Sequence, residues 1–173
     1  KLPGVSIRQR TLRDYTYPAA AQVLGSIGEV NQRDIDSDSY YQSGDYSGRD
    51  GIERTYETIL RGIKGKEVLM RDIRGCIQGH YKNGELDEEP VAGDNLTITL
   101  DIQLQLLAEE LLQGKVGSAV AIEPSTGEIL ALASNPTWNP SLLIGRQRSA
   151  NYRELLNDKT KPLMNRAKQA QYS

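Results

Sequence analysis

The sequence predicts an α+β chain built in two parts. Three observations carry this. Short helical and short strand patterns follow one another without any repeat. Two strands within residues 118–133 are apolar on both faces, the mark of a sheet covered on both sides. The pattern changes around Pro90-Val91-Ala92-Gly93-Asp94, and the boundary is placed there, giving parts 1–93 and 94–173.

The elements follow in order. Val5 to Arg10 alternates apolar and polar residues, the strand period. It reads as a strand entering mid-domain, so a preceding segment is expected. Pro18 suits a first helical position, and Ala19 to Leu24 follows, closed by Gly25. The stretch NQRDIDSDSYYQSGDYSG has neither period and reads as an exposed acidic loop. Asp50 is expected to cap a helix running to about Arg61, with Glu53 reaching back to the helix start. Ile52, Tyr56, Ile59 and Leu60 would form its buried face, and Gly62 its exit.

Glu67 to Ile73 reads as a strand, and Gly75, Gly79 and Asn83-Gly84 punctuate one or two hairpins. In the second part, Leu96 to Leu100 is a short strand. Asp101 caps a helix with the stripe Leu104, Leu107, Ala108 and Leu111, ending before Gly114. Ser118 to Ile122 and Ile129 to Ala133 are the two apolar strands, joined by the Pro124-Ser125-Thr126-Gly127 turn. Their outer edge is expected to stay open and to recruit a second copy of the chain, or else to leave the chain disordered or aggregation-prone beyond about Gly114. The part up to about Gly93 is expected to fold alone.

Bulk properties exclude several function classes. Of 173 residues, 38% are apolar, enough for a core, and 25% are charged. A net charge of −2 gives no electrostatic case for nucleic acid. No apolar run approaches the length of a bilayer span, and no signal peptide is present. A lone cysteine, Cys76, rules out an internal disulfide.

The chemistry-bearing residues do not assemble into a site. Asp34, Asp36, Asp38 and Asp45 have the spacing of a calcium loop, but Ser39 stands where the sharp turn wants glycine, and Asp45 where a bidentate glutamate is usual. A solvated loop is expected. His80, the single histidine, lies beside a turn with no nucleophile or orienting partner in view, and Cys76 reads as a structural thiol. Glu109 and Glu110 are adjacent on a helix, about 100° apart, and are expected on its solvated face. Asp94 and Asp101 read as a turn and a cap. No catalytic, cofactor-binding or metal-binding residue is assigned, and no cofactor is expected.

Six stretches in this order resemble class B penicillin-binding proteins, the elongation-type branch: Leu2-Pro3-Gly4-Val5 with Arg13 and Tyr17-Pro18; AAQVLGSIGEV, Ala20 to Val30; SGRDGIERTYETILRGIKG, Ser47 to Gly65; LTITLDIQLQLLAEELL, Leu96 to Leu112; AVAIEPSTGEILALASNPTWNP from Ala119, with Asn135-Pro136 and Asn139-Pro140; and PLMNRA, Pro162 to Ala167. The resemblance implies a non-catalytic pedestal, or dimerisation-type, domain over 1–93. It implies the first helix and strand pair of a β-lactamase-like transpeptidase domain over 94–173.

The family's Ser-x-x-Lys motif follows Asn-Arg-Ala and a tyrosine, and its serine is acylated by stem peptides or β-lactams. Here Tyr172-Ser173 has no lysine three residues on, so the nucleophile is not carried onto Ser173. The resemblance thus implies a catalytically silent piece of a serine D,D-transpeptidase that cross-links peptidoglycan during elongation. By the same resemblance the parent is anchored to the bacterial inner membrane on its periplasmic side. Its implied partners are a glycan polymerase and rod-complex scaffold proteins. Two rivals stand beside this: a non-enzymatic periplasmic interaction module with the same pedestal, and a β-lactam sensor, against which the Gly51-Ile52-Glu53 signature counts.

Overall fold

A computed structural model describes residues 13–170; the strand expected over Val5–Arg10 and the Tyr172-Ser173 end lie outside the described residues. The described chain forms two compact units, one of residues 13–55 with 99–170, the other of residues 56–98. Helices and strands are mixed throughout, as the α+β reading expects.

In the first unit, the strand pair is the framework. β5 (Gly117–Ile122) and β6 (Ile129–Asn135) run antiparallel, registered from Gly117↔Asn135 to Ile122↔Ile129. Helix α5 (Ile102–Leu111) packs against β6 and begins where the Asp101 carboxylate accepts the Gln103 and Leu104 amides at 2.9 and 3.0 Å. That is the expected cap. The expected apolar stripe is different. Leu107 and Leu111 are 49% and 62% exposed, and the fully buried position of the helix is Gln105. Leu96 to Leu100 forms no strand. Instead the Thr99 hydroxyl donates to the Ile129 carbonyl at 2.7 Å, a single side-chain bond in place of a ladder.

The core gathers Ala21, Trp138 and Leu143, with Leu155 and Leu163 packed on it. Leu155 belongs to α6 (Arg148–Asn157). Ala21 belongs to α1 (Ala21–Leu24), which is shorter than expected. Ala20 adopts a left-handed backbone, φ 59°, so the turn at Pro18 does not continue into the helix.

β1 (Ile27–Glu29) pairs antiparallel with β2 (Tyr46–Gly48). Between them, the expected loop contains helix α2 (Gln32–Ser37). Its start is a reciprocal capping box: Asn31 Oδ1 accepts the Asp34 amide, and Asp34 Oδ2 accepts the Asn31 amide. The helix has no apolar face to announce it, which is why periodicity misses it.

The helix expected over Asp50–Arg61 is two short helices, α3 (Gly51–Thr55) and α4 (Glu57–Leu60), separated at Tyr56 with φ −109° and ψ 20°. Its expected core face is corrected with it. Tyr56 and Ile59 are exposed, Ile52 and Leu60 are half-buried, and the buried residue is Glu53. The Asp50 carboxylate does not reach into its own helix; it accepts the Ser26 amide. Gly25 and Gly51, both at positive φ, let the α1 exit and the α3 entry come together: a Cβ on Gly51 would lie 2.6 Å from the Val23 carbonyl oxygen.

The second unit is a hairpin with two further bridges. β3 (Leu69–Arg71) pairs antiparallel with β4 (Ile77–His80), and Ile63↔Val91 and Lys66↔Glu88 add single contacts. Asn83-Gly84 does not join two strands. It lies in a 3₁₀ turn, Tyr81–Gly84, where Lys82 and Asn83 are left-handed. No described residue of 56–98 is buried, and Met70, Ile73 and Ile77 are exposed. Backbone hydrogen bonds and turn side chains, rather than an apolar core, hold this unit.

Candidate functional site

The acidic residues of the α2 region are each engaged locally. Asp34 caps α2 and receives Arg49 Nη1 at 2.8 Å. The Asn31 amide, then Arg49, hold its carboxyl below the usual carboxylate range. Asp36 accepts from Gln32 Nε2, Asp38 from the Tyr40 amide, and Asp45 from the Gln42 amide. Their oxygens are aimed at the backbone and at neighbouring side chains. Among the described residues no three or more His, Cys, Asp or Glu side chains gather as a metal site.

In the hairpin unit, His80 has an orienting carboxylate that sequence spacing did not suggest. Its Nδ1 pairs with Asp87 Oδ2, while Asp87 Oδ1 accepts the Val68 amide at 2.8 Å. The Val68 bond, with His80 adding, keeps Asp87 below the usual carboxylate range. Asp72 organises the turn before Cys76: it accepts the Arg74 amide, the Cys76 amide and Gln78 Nε2. Its carboxyl is lowered, chiefly by the Cys76 amide. Cys76 is exposed in that turn. These groups secure turns, and among the described residues the His80 ring bonds Asp87 and no nucleophile.

Buried polar groups concentrate in the first unit. Glu53, only 7% exposed, receives Arg13 Nε at 3.0 Å and the Tyr15 hydroxyl at 3.3 Å. It therefore turns away from its own helix start, against expectation. Burial, then the Glu53 charge, pushes the Tyr15 hydroxyl well above the usual tyrosine range.

The outer edge of β6 is closed by the Gln105 and Gln22 side chains and by the Asp101 main chain. The Leu132 amide donates to Gln105 Oε1 at 2.8 Å, and Gln105 Nε2 donates to the Leu132 carbonyl at 3.0 Å. The Asp101 amide donates to the Leu130 carbonyl at 2.9 Å, and Gln22 Nε2 to the Ser134 carbonyl at 3.4 Å. Glu109, expected in solvent, is half-buried: one of its oxygens accepts both Gln105 Nε2 and the Ala20 amide, each at 2.7 Å. Glu110 is on the exposed side as expected.

The far end of β6 holds the segment that leads into α7 (Arg166–Gln169). The fully buried Ser134 hydroxyl donates to the Met164 carbonyl at 3.2 Å and accepts the Arg166 amide at 3.0 Å, capping α7 from another element. The buried Arg166 guanidinium donates to the carbonyls of Thr160, Lys161, Met164 and Pro136. Gln22 Nε2 adds a bond to the Pro162 carbonyl at 3.2 Å. Pro162 to Ala167 is thus fixed against β6, with Asn165 Oδ1 buried and bonded to nothing described. This arrangement positions backbone. It contains no group poised for proton or acyl transfer.

The model of the penicillin-binding protein dimerisation domain matches residues 1–98. The chain belongs to that family. The peptidoglycan D,D-transpeptidase MrdA of Acinetobacter baumannii is 35% identical over 175 residues, covering 99% of this chain and 25% of that protein. Among solved structures, penicillin-binding protein 2 from Helicobacter pylori in complex with MreC matches with a TM-score of 0.74 and 26% identity, over 90% of this chain and 29% of that one. A peptidoglycan synthase complex, solved for the coordination of polymerization and crosslinking, contains a chain that matches with a TM-score of 0.75 and 30% identity. That match covers 92% of this chain and 30% of the other. The chain spans about a quarter of the length of the transpeptidase it matches. The motifs quoted from the sequence thus identified the family correctly. What they could not locate is the buried polar lattice on β6, because it is made of Gln, Ser and Arg at positions that carry no apolar period.

Proposed function

We propose that this chain is the pedestal and the founding part of the transpeptidase domain of an elongation-type peptidoglycan D,D-transpeptidase. One observation carries the reading: 35% identity to a protein of that activity runs through 99% of the chain. The docking of Pro162 to Ala167 on β6 supports it, since in the resemblance this segment leads to the Ser-x-x-Lys helix. Within the described residues the chain's work is mechanical. Gln105, Ser134 and Arg166 hold β6, α5 and the start of α7 in one frame, and acyl transfer belongs to residues of the larger enzyme.

The remaining parts of the proposal follow the same relatives. The boundary between pedestal and transpeptidase domain falls at Gly93/Asp94, close to the end of the matched family region at residue 98. Scaffold proteins of the MreC kind and a glycan polymerase are the partners, and stem peptides and β-lactams are ligands of the whole enzyme only. The enzyme works at the periplasmic face of the bacterial inner membrane; no described helix is long and apolar enough to cross a membrane. The exposed edge of β5 gives this chain a surface for pairing with a second copy.

Labelling with a fluorescent penicillin tests the reading. The product of the whole gene is expected to label stoichiometrically and the 173-residue chain not at all. Penicillin-competed labelling of the chain itself overturns its silence. A whole-gene product that never labels makes the protein an interaction module with a pedestal fold.

A further inference from the structure

We propose that Glu109 and Gln105 form a two-residue tie that makes the position of the Ala20 segment and the outer edge of β6 interdependent. Ala20 and Glu109 are 89 residues apart in sequence, yet the Ala20 amide is bonded to Glu109 Oε1 at 2.7 Å. The same oxygen accepts Gln105 Nε2 at 2.7 Å. Gln105 is fully buried, and its amide both accepts from and donates to Leu132. One carboxylate oxygen therefore orients the side chain that closes the edge of β6 and also anchors the residue that opens α1.

The local backbone fits this role. Ala20 is left-handed at φ 59°, a conformation an alanine holds only when its surroundings impose it. The two carbonyls that follow in need of order, those of Ala20 and Ala21, start α1 by accepting the Leu24 and Gly25 amides at 2.8 and 2.9 Å. Losing the Glu109 bond releases that conformation. Losing Glu109 also removes one of the two bonds made by Gln105 Nε2, so the buried side chain is held only by its own pair of bonds to Leu132. In a buried network each bond strengthens its neighbours, so a break at one end is felt at the other.

Backbone amide exchange on the 173-residue chain, followed by NMR, tests the tie. In Glu109→Ala the Ala20 amide loses a direct partner, and the Leu132 amide, which never touches Glu109, is also expected to exchange about tenfold faster. In Gln105→Leu the Leu132 amide is exposed directly, and the Ala20 amide is expected to speed up by a similar factor. The Gln103 and Leu104 amides, capped by Asp101, report on local opening at the start of α5 and are expected to change less than about twofold. If Glu109→Ala unfolds the chain, Glu109→Gln keeps the volume and weakens the charge-assisted bond, and its effect must still appear at both Ala20 and Leu132. Exchange that rises only at the directly bonded amide in each variant overturns the proposal. So does a Leu132 amide that keeps its full protection in Glu109→Gln while Ala20 loses it.

Discussion

Gln105 and Leu132 exchange two hydrogen bonds, so that a side-chain amide on α5 occupies the place of a neighbouring strand along β6. The consequence for the sheet is directional. Leu132 faces Val120 in the register, and its amide and carbonyl both point away from β5. In an antiparallel pair the facing residue then points its own amide and carbonyl outward as well. Val120 is 46% exposed, and no described residue bonds that edge. Among the described residues, β5 is the side of this pair left open to a further strand.

Replacing Gln105 by leucine tests the energetic weight of this closure. Leucine fills similar space but leaves the amide and carbonyl of Leu132 without these partners. The expected loss is about 2–4 kcal/mol from two unsatisfied backbone groups. Urea denaturation measures it. A loss under about 0.5 kcal/mol means that water or a shifted side chain satisfies Leu132 equally well.

The same pair explains what the sequence did and did not disclose. Asp101 was legible as a cap because aspartate before an apolar helical run has one common use. The strands β5 and β6 were legible because alternation fails there in a characteristic way, apolar on both faces. Gln105 was not, because periodicity assigns apolar residues to the buried face, and here the buried face of α5 is chosen by hydrogen bonding to β6. Leu107 and Leu111 consequently point to solvent in this chain. Helix α2 was hidden for a related reason: Asn31 and Asp34 make its capping box without any apolar stripe behind it. Glu53 was read as a helix-start residue from spacing alone, and its partners Arg13 and Tyr15 lie 40 and 38 residues away.

Glu53 leads to a prediction at alkaline pH. Tyr15 is held neutral first by burial and then by the Glu53 charge, so its folded pKa lies above its unfolded value of about 10. The sign follows: its contribution to stability is complete below about pH 10 and declines as pH rises beyond it. In an ultraviolet titration Tyr15 is expected to ionise after the exposed tyrosines. Glu53→Gln removes the second cause and should bring Tyr15 down without returning it to the ordinary value, since burial remains. A titration unchanged by Glu53→Gln contradicts the contact.

Acid should act on the hairpin unit. Asp72 and Asp87 both have folded pKa values below the ordinary carboxylate range, because backbone amides of Cys76 and Val68 bond their charged forms. Lowered values mean stability that is present above the unfolded pKa of about 4 and lost as pH falls through the folded values. With no buried residue in 56–98 to compensate, the Val68, Arg74 and Cys76 amides should lose protection as pH falls below about 4. Asp87→Asn should remove the effect at Val68 and leave it at Cys76. Equal protection at pH 2 and pH 6 would show that the turns hold without their carboxylates.

Truncation after Gly93 separates the sequence division from the compact units. The resemblance places a pedestal at 1–93, which suggests a piece that folds by itself. In the structure, residues 13–55 draw their partners from beyond residue 99. Ala20 bonds Glu109, Gln22 bonds Ser134, Pro162 and Thr137, the Ile27 carbonyl accepts Arg148 Nε, and Ala21 packs with Trp138 and Leu143. A 1–93 chain loses all of these at once, and the half-buried β1–β2 ribbon that remains is too small to be stable alone. Such a chain is expected to lack cooperative thermal unfolding and to show collapsed amide dispersion for residues 19–30, while the Asp72 turn keeps its local shifts. The 173-residue chain is expected to melt cooperatively in the same buffer. A truncated chain in which Ala21 and Ile27 keep the shifts they have in the longer one would mean that the pedestal segment carries its own fold, and that its bonds to α5, β6 and α6 are additions to it.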